Sequence, residues 1–278
     1  MKNFEINISP EKERKKFSHM KVFRVRHGDT QYHEHTQGKK MEREDLDVTP
    51  KGEMQMDSVA RIIGRRLNKE NDVICVIASP RVRTQNGKKI FEEYFKKKGF
   101  SVLNNKRIDL PQERIKSVDI YDDAGNVVPV GDEKHPALFE RIVSDLEKRT
   151  PEGMSRDAYM FESGHENLES FEESKKRSRR QLAGFMRIAK NIQLKFDKHI
   201  VIIQIEHCET LDDFYEQASG GEYSMISDSG PKKGEVVELD IPVEGNEIEV
   251  EFIGRERGKK RKVRFDYLSK NFLQEEKK

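Results

Sequence analysis

Met20-Lys21-Val22-Phe23-Arg24-Val25 runs straight into Arg26-His27-Gly28, so a strand of alternating apolar residues ends on a histidine held between a guanidinium and a glycine. In open α/β sheets, ligands bind in the crevice beyond the carboxyl ends of the strands. A glycine there lets the backbone approach an anion closely, and an arginine offers a bidentate fork. That is a phosphate-handling arrangement, and it makes His27 a candidate nucleophile. Two further strand ends supply partners. Asp72-Val73-Ile74-Cys75-Val76-Ile77-Ala78 reads as a strand buried on both faces and leads into Ser79-Pro80-Arg81-Val82-Arg83-Thr84. His199-Ile200-Val201-Ile202-Ile203-Gln204-Ile205 has the same texture and ends in Glu206-His207-Cys208-Glu209, before an apparent helix from Leu211 to Ala218. His27, His207, Arg26 and Arg83 thus top three candidate parallel strands.

Around these ends the chain alternates strand and helix. Thr49 is a good N-cap with Pro50 in the first helical position, and Val59, Ile62, Ile63 and Leu67 follow at helical spacing. Further helices are predicted over 83–97 and 168–191. The alternation predicts an α/β fold, a three-layer α/β/α sandwich on a mainly parallel central sheet. Residues 114–166 are less regular: a turn at Asp122-Asp123-Ala124-Gly125-Asn126, a helix from Pro136 to Lys148, and a polar loop from Thr150 to His165. Such an insertion either covers the pocket and selects substrates or is a surface elaboration. Glu247 to Phe252 and Lys262 to Tyr267 alternate like the strands of a hairpin added to the sheet edge. No aromatic platform interleaves the basic loop between them, Gly254 to Arg261, so a solvated tip is favoured over an RNA or acidic-partner contact. The resulting division is a charged N-terminal extension over 1–18 with one alternating piece from Phe4 to Ile8, a core over 19–240, and a C-terminal hairpin extension over 241–278.

Composition sets outer bounds. Of 278 residues, 37% are charged and 34% hydrophobic, with a mean hydropathy of −0.89, so apolar residues must concentrate in the strands. No apolar run reaches membrane-spanning length, and the first residues lack the cationic-then-apolar order of a signal peptide. Two cysteines imply no disulfide framework, as in a reducing cytoplasm. A formal charge of +2 from 53 basic and 51 acidic side chains does not suggest bulk nucleic-acid binding.

The ordered set Arg26-His27-Gly28, Ser79-Pro80-Arg81-Val82-Arg83 and a late His207 resembles the histidine phosphatase superfamily, the phosphoglycerate-mutase-like enzymes. The match runs from about Lys21 to Asp240. Asp29-Thr30 is similar to the pair that follows the family triplet, Val48-Thr49-Pro50-Lys51-Gly52 to the family's Leu-Thr-x-x-Gly segment, Glu169-Ser170 with Arg177 to its Gly-Glu-Ser stretch, and Gly234 to Leu239 to its closing edge strand. The resemblance implies a divergent member that hydrolyses phosphomonoesters through phosphohistidine at His27. Arg26, Arg83, Gly28, Thr30 and His207 would hold the phosphoryl group, and His33 stands where relatives often carry a phosphate-holding asparagine. It also implies a general acid after the second arginine. Asp109 and Glu113 are both candidates, and the approach Leu110-Pro111-Gln112 favours Glu113. No metal or other cofactor is implied, the expected partner is a small phosphorylated metabolite, and the oligomeric state is open. A phosphomutase and a phosphate-binding regulatory module without turnover are the competing readings. Cys208 for Gly after the second histidine and Gly87 for a frequent threonine are departures that leave the substrate open.

His207-Cys208 also opens a cysteine-phosphatase-like loop, but the arginine required six residues after the cysteine is Phe214. Cys208 and Cys75 are therefore read as packing residues. His33-Glu34-His35 lacks a third ligand for a metal clip, and His19, His135, His165 and His199 are read as surface or strand-start residues.

Overall fold

The computed structural model describes residues 17–31, 47–103, 118–129, 134–227, 229–256 and 258–273. Its elements in chain order are β1 (His19–Arg26), α1 (Pro50–Gly64), β2 (Asp72–Ala78), α2 (Val82–Lys97), β3 (Ser101–Leu103), α3 (His135–Arg149), α4 (Arg156–Ser163), α5 (Phe171–Asn191), β4 (His199–Glu206), α6 (Cys208–Ser219), β5 (Val236–Pro242), β6 (Glu247–Ile253), β7 (Lys260–Asp266) and β8 (Asn271–Leu273). The strands form one sheet in the order β3-β2-β4-β1-β5-β6-β7-β8. Helices α1 and α2 bury Met56, Ile63, Phe91 and Phe95 against one face. Helices α5 and α6 bury Leu182, Phe185, Leu211 and Phe214 against the other. The result is the expected three-layer α/β/α sandwich.

The expectation of a mainly parallel sheet is corrected. β3-β2, β2-β4 and β4-β1 are parallel, whereas β1-β5, β5-β6, β6-β7 and β7-β8 are antiparallel. The reason is the C-terminal segment. β5 returns beside β1, and β6, β7 and the short β8 add on by tight connections, which only antiparallel pairing permits. β5, which resembled a closing edge strand, is therefore interior. Ile248, Val250, Phe252 and Phe265 of β6 and β7 join the core cluster of β1 and β4.

Local chemistry explains the element boundaries. Thr49 caps α1 by accepting from the Gly52 N–H, with Pro50 in the first turn, and Ser170 caps α5 by accepting from Glu173 N–H. Each such cap is worth about 0.5–2 kcal/mol. The predicted polar loop 150–165 contains a helix: Ser155 caps α4, and Ala158 and Phe161 are its buried residues. Its eight residues hold too short an apolar pattern to stand out from sequence. Ile62, expected on the buried stripe of α1, is instead exposed at the edge of that stripe.

In the basic loop Gly254, Gly258, Lys259 and Lys260 are exposed, as in a solvated tip, while Arg255 and Arg261 are tied down. Arg255 pairs with Glu235, donates to the carbonyls of Ser229 and Gly230, and lies over the Tyr223 ring. Arg261 donates to Ser219 O, Glu222 and Glu256. These guanidinium groups tie the segment before β5 to the β6–β7 hairpin, because planar forks satisfy several acceptors at once.

Candidate active site

β1, β2 and β4 end level with one another: Arg26 is opposite Glu206 and Ala78 opposite Ile205. The residue after each strand is consequently His27, Ser79 and His207. His27 and His207 are 4% and 1% exposed, and their rings meet edge to face with centroids 5.2 Å apart. Arg83, on the first turn of α2, bridges them. Its Nε donates to His27 Nε2 at 3.3 Å and its Nη2 donates to His207 Nδ1 at 3.2 Å.

Because arginine has only donors, these contacts fix both tautomers. His27 carries its proton on Nδ1, which donates to Gly28 O at 2.8 Å, so Nε2 presents a lone pair. His207 carries its proton on Nε2, which donates to Ser79 Oγ at 2.7 Å, and Ser79 lies 2.8 Å from Thr84 Oγ1. Burial first, then the Arg83 charge, holds both imidazoles well below the ordinary histidine pKa. Both are neutral near pH 7.

The cavity over this pair measures about 380 Å³. Its cationic floor takes in Arg26, Arg81, Arg83 and Lys233 beside the two histidines. Arg26 is held by Pro231 O, and Lys233 by Asp29 at 2.6 Å. Arg81 and Lys233 were not singled out from sequence. Arg81 was visible as the first arginine of Ser79-Pro80-Arg81-Val82-Arg83, whereas Lys233 reaches the site from a segment with no local signal. The walls are apolar, with Ile142 and Leu146 of α3, Met160 and Phe161 of α4, and Ile120 and Leu168 between them.

Gly28 and Thr30 are not among the described residues lining the cavity. Gly28 has a packing reason instead: a Cβ there would lie 2.5 Å from Gly52 O, and one on Gly52 would lie 2.1 Å from Asp29 O. The two glycines let the loop after β1 rest on the first turn of α1, where Thr49 N–H donates to Asp29 O at 3.0 Å. Thr30 is buried in a bridge with Val48. His33, Asp109 and Glu113 lie outside the described residues, as do His35 and the piece from Phe4 to Ile8. Among the described residues, Asp157 and Glu209 are the carboxylates lining the cavity.

Sequence reasoning missed the support beneath the site. Arg24 and Glu206, 1% and 0% exposed, form a bidentate pair at 2.7 and 2.8 Å. Gln204 and Thr210 also donate to Glu206, and Arg24 donates to Thr210 O. This network fixes the residue immediately before His207 and the first turn of α6. Its signal was Arg24 lying among Val22, Phe23 and Val25 in the middle of β1.

Other candidates resolve plainly. Cys75 is fully buried, and burial pushes its thiol up to about 12. The Cys208 thiol is likewise raised by burial and donates to Glu209 at 3.4 Å. Neither suits a thiolate nucleophile. His165, expected at the surface, has a side chain only 3% exposed. It accepts from Asn167 N–H and donates to Asp145. With Glu166 it makes a cluster at metal-ligand spacing, but both ring nitrogens are committed to protein. No helix among the described residues is long and apolar enough to cross a membrane.

No family model and no curated protein matches the chain. The chain is similar to solved phosphatases and a phosphoglycerate mutase. The phosphoglycerate mutase from Bacillus anthracis str. Sterne is 12% identical, with 86% of this chain and 94% of that chain covered at a TM-score of 0.49. A mycobacterial glucosyl-3-phosphoglycerate phosphatase is 15% identical, covering 80% and 90% at 0.45. A phosphoserine phosphatase mutant from Entamoeba histolytica, in complex with phosphoserine, is 15% identical, covering 79% and 90% at 0.40. The chemistry of this chain rests on its own residues.

Proposed function

We propose that this chain is a divergent histidine phosphatase that hydrolyses small phosphomonoesters through a phosphohistidine at His27. The observation that carries the reading is the arginine-bridged pair of neutral imidazoles at the strand ends, with the His27 Nε2 lone pair turned to Arg83. In the proposed reaction Nε2 attacks phosphorus, the P–N bond forms as the ester P–O bond breaks, and the leaving oxygen takes a proton from a carboxylic acid. Water then attacks phosphorus, returns a proton to that carboxylate, and releases inorganic phosphate and free His27. Arg26 and Arg83 offset the phosphoryl charge, which is where most catalysis of such a transfer resides. A bound dianion raises the depressed pKa of His207, allowing it to donate to a phosphoryl oxygen. The reading needs no metal. Glu113 is the proposed acid and Asp109 the other candidate, and separate substitutions assign it. His33 is proposed to support the phosphate, and Gly28 and Thr30 to act indirectly, by seating the segment after β1 against α1.

Incubation with 4-nitrophenyl phosphate tests the reading. Wild type should release inorganic phosphate and His27→Ala should not, and equal rates in both would remove His27 from the mechanism. Interconversion of phosphoglycerate isomers without phosphate release would give the mutase instead. Thermal stabilisation by inorganic phosphate with no ester turned over would give the binding module.

A further inference from the structure

We infer that the ester group is a hydrocarbon alcohol, an unbranched alkyl or phenyl phosphate, rather than a polyol or sugar phosphate. This rests on the phosphatase reading above. The cavity has two unlike halves. Its floor is charged, while the walls from Ile120, Ile142, Leu146, Met160, Phe161 and Leu168 are hydrocarbon. Ile142 and Leu146 belong to a small apolar cluster, separate from the two clusters that flank the sheet, into which Leu138, Phe139, Tyr159 and Met160 also pack. The segment 118–168 thus contributes its own hydrophobic surface to the site.

The decisive feature is the hydrocarbon surface of these walls. Among the described lining residues there is no serine, threonine, asparagine, glutamine or tyrosine side chain. The charged groups away from the histidine pair stand at the rim of these walls, where Lys233 pairs with Asp29, Arg156 with Glu147 and Asp157, and Glu209 accepts from the Cys208 thiol. A polyol hydroxyl laid against these hydrocarbon walls would give up water for no hydrogen bond there, and a buried unsatisfied hydroxyl costs enough to lower kcat/KM about tenfold or more. A methylene in the same space gains about fourfold when fully buried. At about 380 Å³ the cavity has room for a phosphoryl group and a short chain or single ring, near the small end of the roughly 300–1,000 Å³ range of ligand pockets.

The test presents the protein with matched phosphate esters. Propyl phosphate and glycerol 3-phosphate differ only in two hydroxyls, and propyl phosphate should have the higher kcat/KM by about tenfold or more. From ethyl through butyl to hexyl phosphate, kcat/KM should rise by about twofold to fourfold per methylene until the cavity is filled. Met160→Gln, nearly isosteric and on a half-buried residue, should lower the hexyl-to-ethyl preference, a ratio that general loss of active protein would not move. Glycerol 3-phosphate processed as well as propyl phosphate, a flat alkyl series, or an unchanged preference in Met160→Gln would overturn the inference. If 4-nitrophenyl phosphate is still hydrolysed in a His27-dependent way, the phosphatase reading survives that failure. If no ester is hydrolysed at all, the phosphatase reading falls and takes this inference with it.

Discussion

Strands β1 and β4 carry a pair of touching imidazoles at each end, and the two pairs are chemically opposite. At the carboxyl ends, His27 and His207 meet edge to face at 5.2 Å. At the amino ends, His19 and His199 meet the same way at 4.9 Å. The upper pair faces guanidinium groups and opens on a cavity. The lower pair faces carboxylates: His199 is 3.1 Å from Asp72, His19 is 3.7 Å from Asp240, and Phe17 stacks on His199. An imidazole hydrogen-bonded to a carboxylate, as His199 is to Asp72, is a fastener, whereas a neutral imidazole against an arginine is a lone pair beside an anion cradle. Residue type does not separate the pairs; strand direction and neighbours do.

The largest expected contrast is in turnover. His27→Ala should cost at least about 10³-fold in kcat toward 4-nitrophenyl phosphate, as loss of a nucleophile does. His199→Ala should leave kcat within about twofold while lowering stability. Comparable losses in both variants would break the distinction between the two ends. Next comes Arg83→Met, which removes the group bridging the upper pair and should cost about 10²–10³-fold in kcat/KM, the size seen for a transition-state hydrogen-bond donor. Its NMR titration should also show His27 moving back toward the ordinary histidine range.

The buried Arg24–Glu206 pair beneath the upper histidines gives a stability contrast. Glu206→Gln strands the Arg24 charge and should cost about 3 kcal/mol or more in denaturant unfolding. His19→Ala, at a side chain 42% exposed, should cost within about 0.5 kcal/mol of nothing. An equal cost at both sites would mean the network does not anchor the strand ends.

The smallest effect is in pH dependence, and its sign follows from the upper pair. Burial and Arg83 keep His27 and His207 neutral in the folded chain, while in the unfolded chain they take up protons as pH falls through about 6.5. The unfolded state then binds more protons, so stability should fall as pH drops below that value. His27→Gln should flatten that slope when unfolding is measured at pH 7.5, 6 and 5, and an unaltered slope would show that His27 is not held neutral. Asp212 works in the opposite sense. Burial raises its carboxyl to about 7, so it costs stability as pH rises through that region.

Much of this was legible in the residues themselves. An alternating run ending in His27 and continuous apolar runs leading into Ser79 and His207 gave the parallel strands and put the polar residues at one end. Thr49 and Pro50 marked the start of α1 because capping is local chemistry. What stayed hidden depended on distant partners. Arg24 showed as an odd charge in a strand, but nothing local named Glu206. The antiparallel half of the sheet escaped because β5 to β8 obey the same alternation whichever way their neighbours run. The apolar walls came from 118–168, where short helices and loops carry too little periodicity to announce a shared surface.

The most direct test of the central claim is where the phosphoryl group goes. Rapid alkaline quench, which preserves the P–N bond, during turnover of 4-nitrophenyl phosphate at mildly acidic pH, followed by peptide mapping kept at alkaline pH, should find phosphate on the imidazole of the peptide containing His27 and lose it in His27→Ala. Steady release of phosphate from the wild type with the label on Cys208, on His207 or on no protein residue would contradict the account.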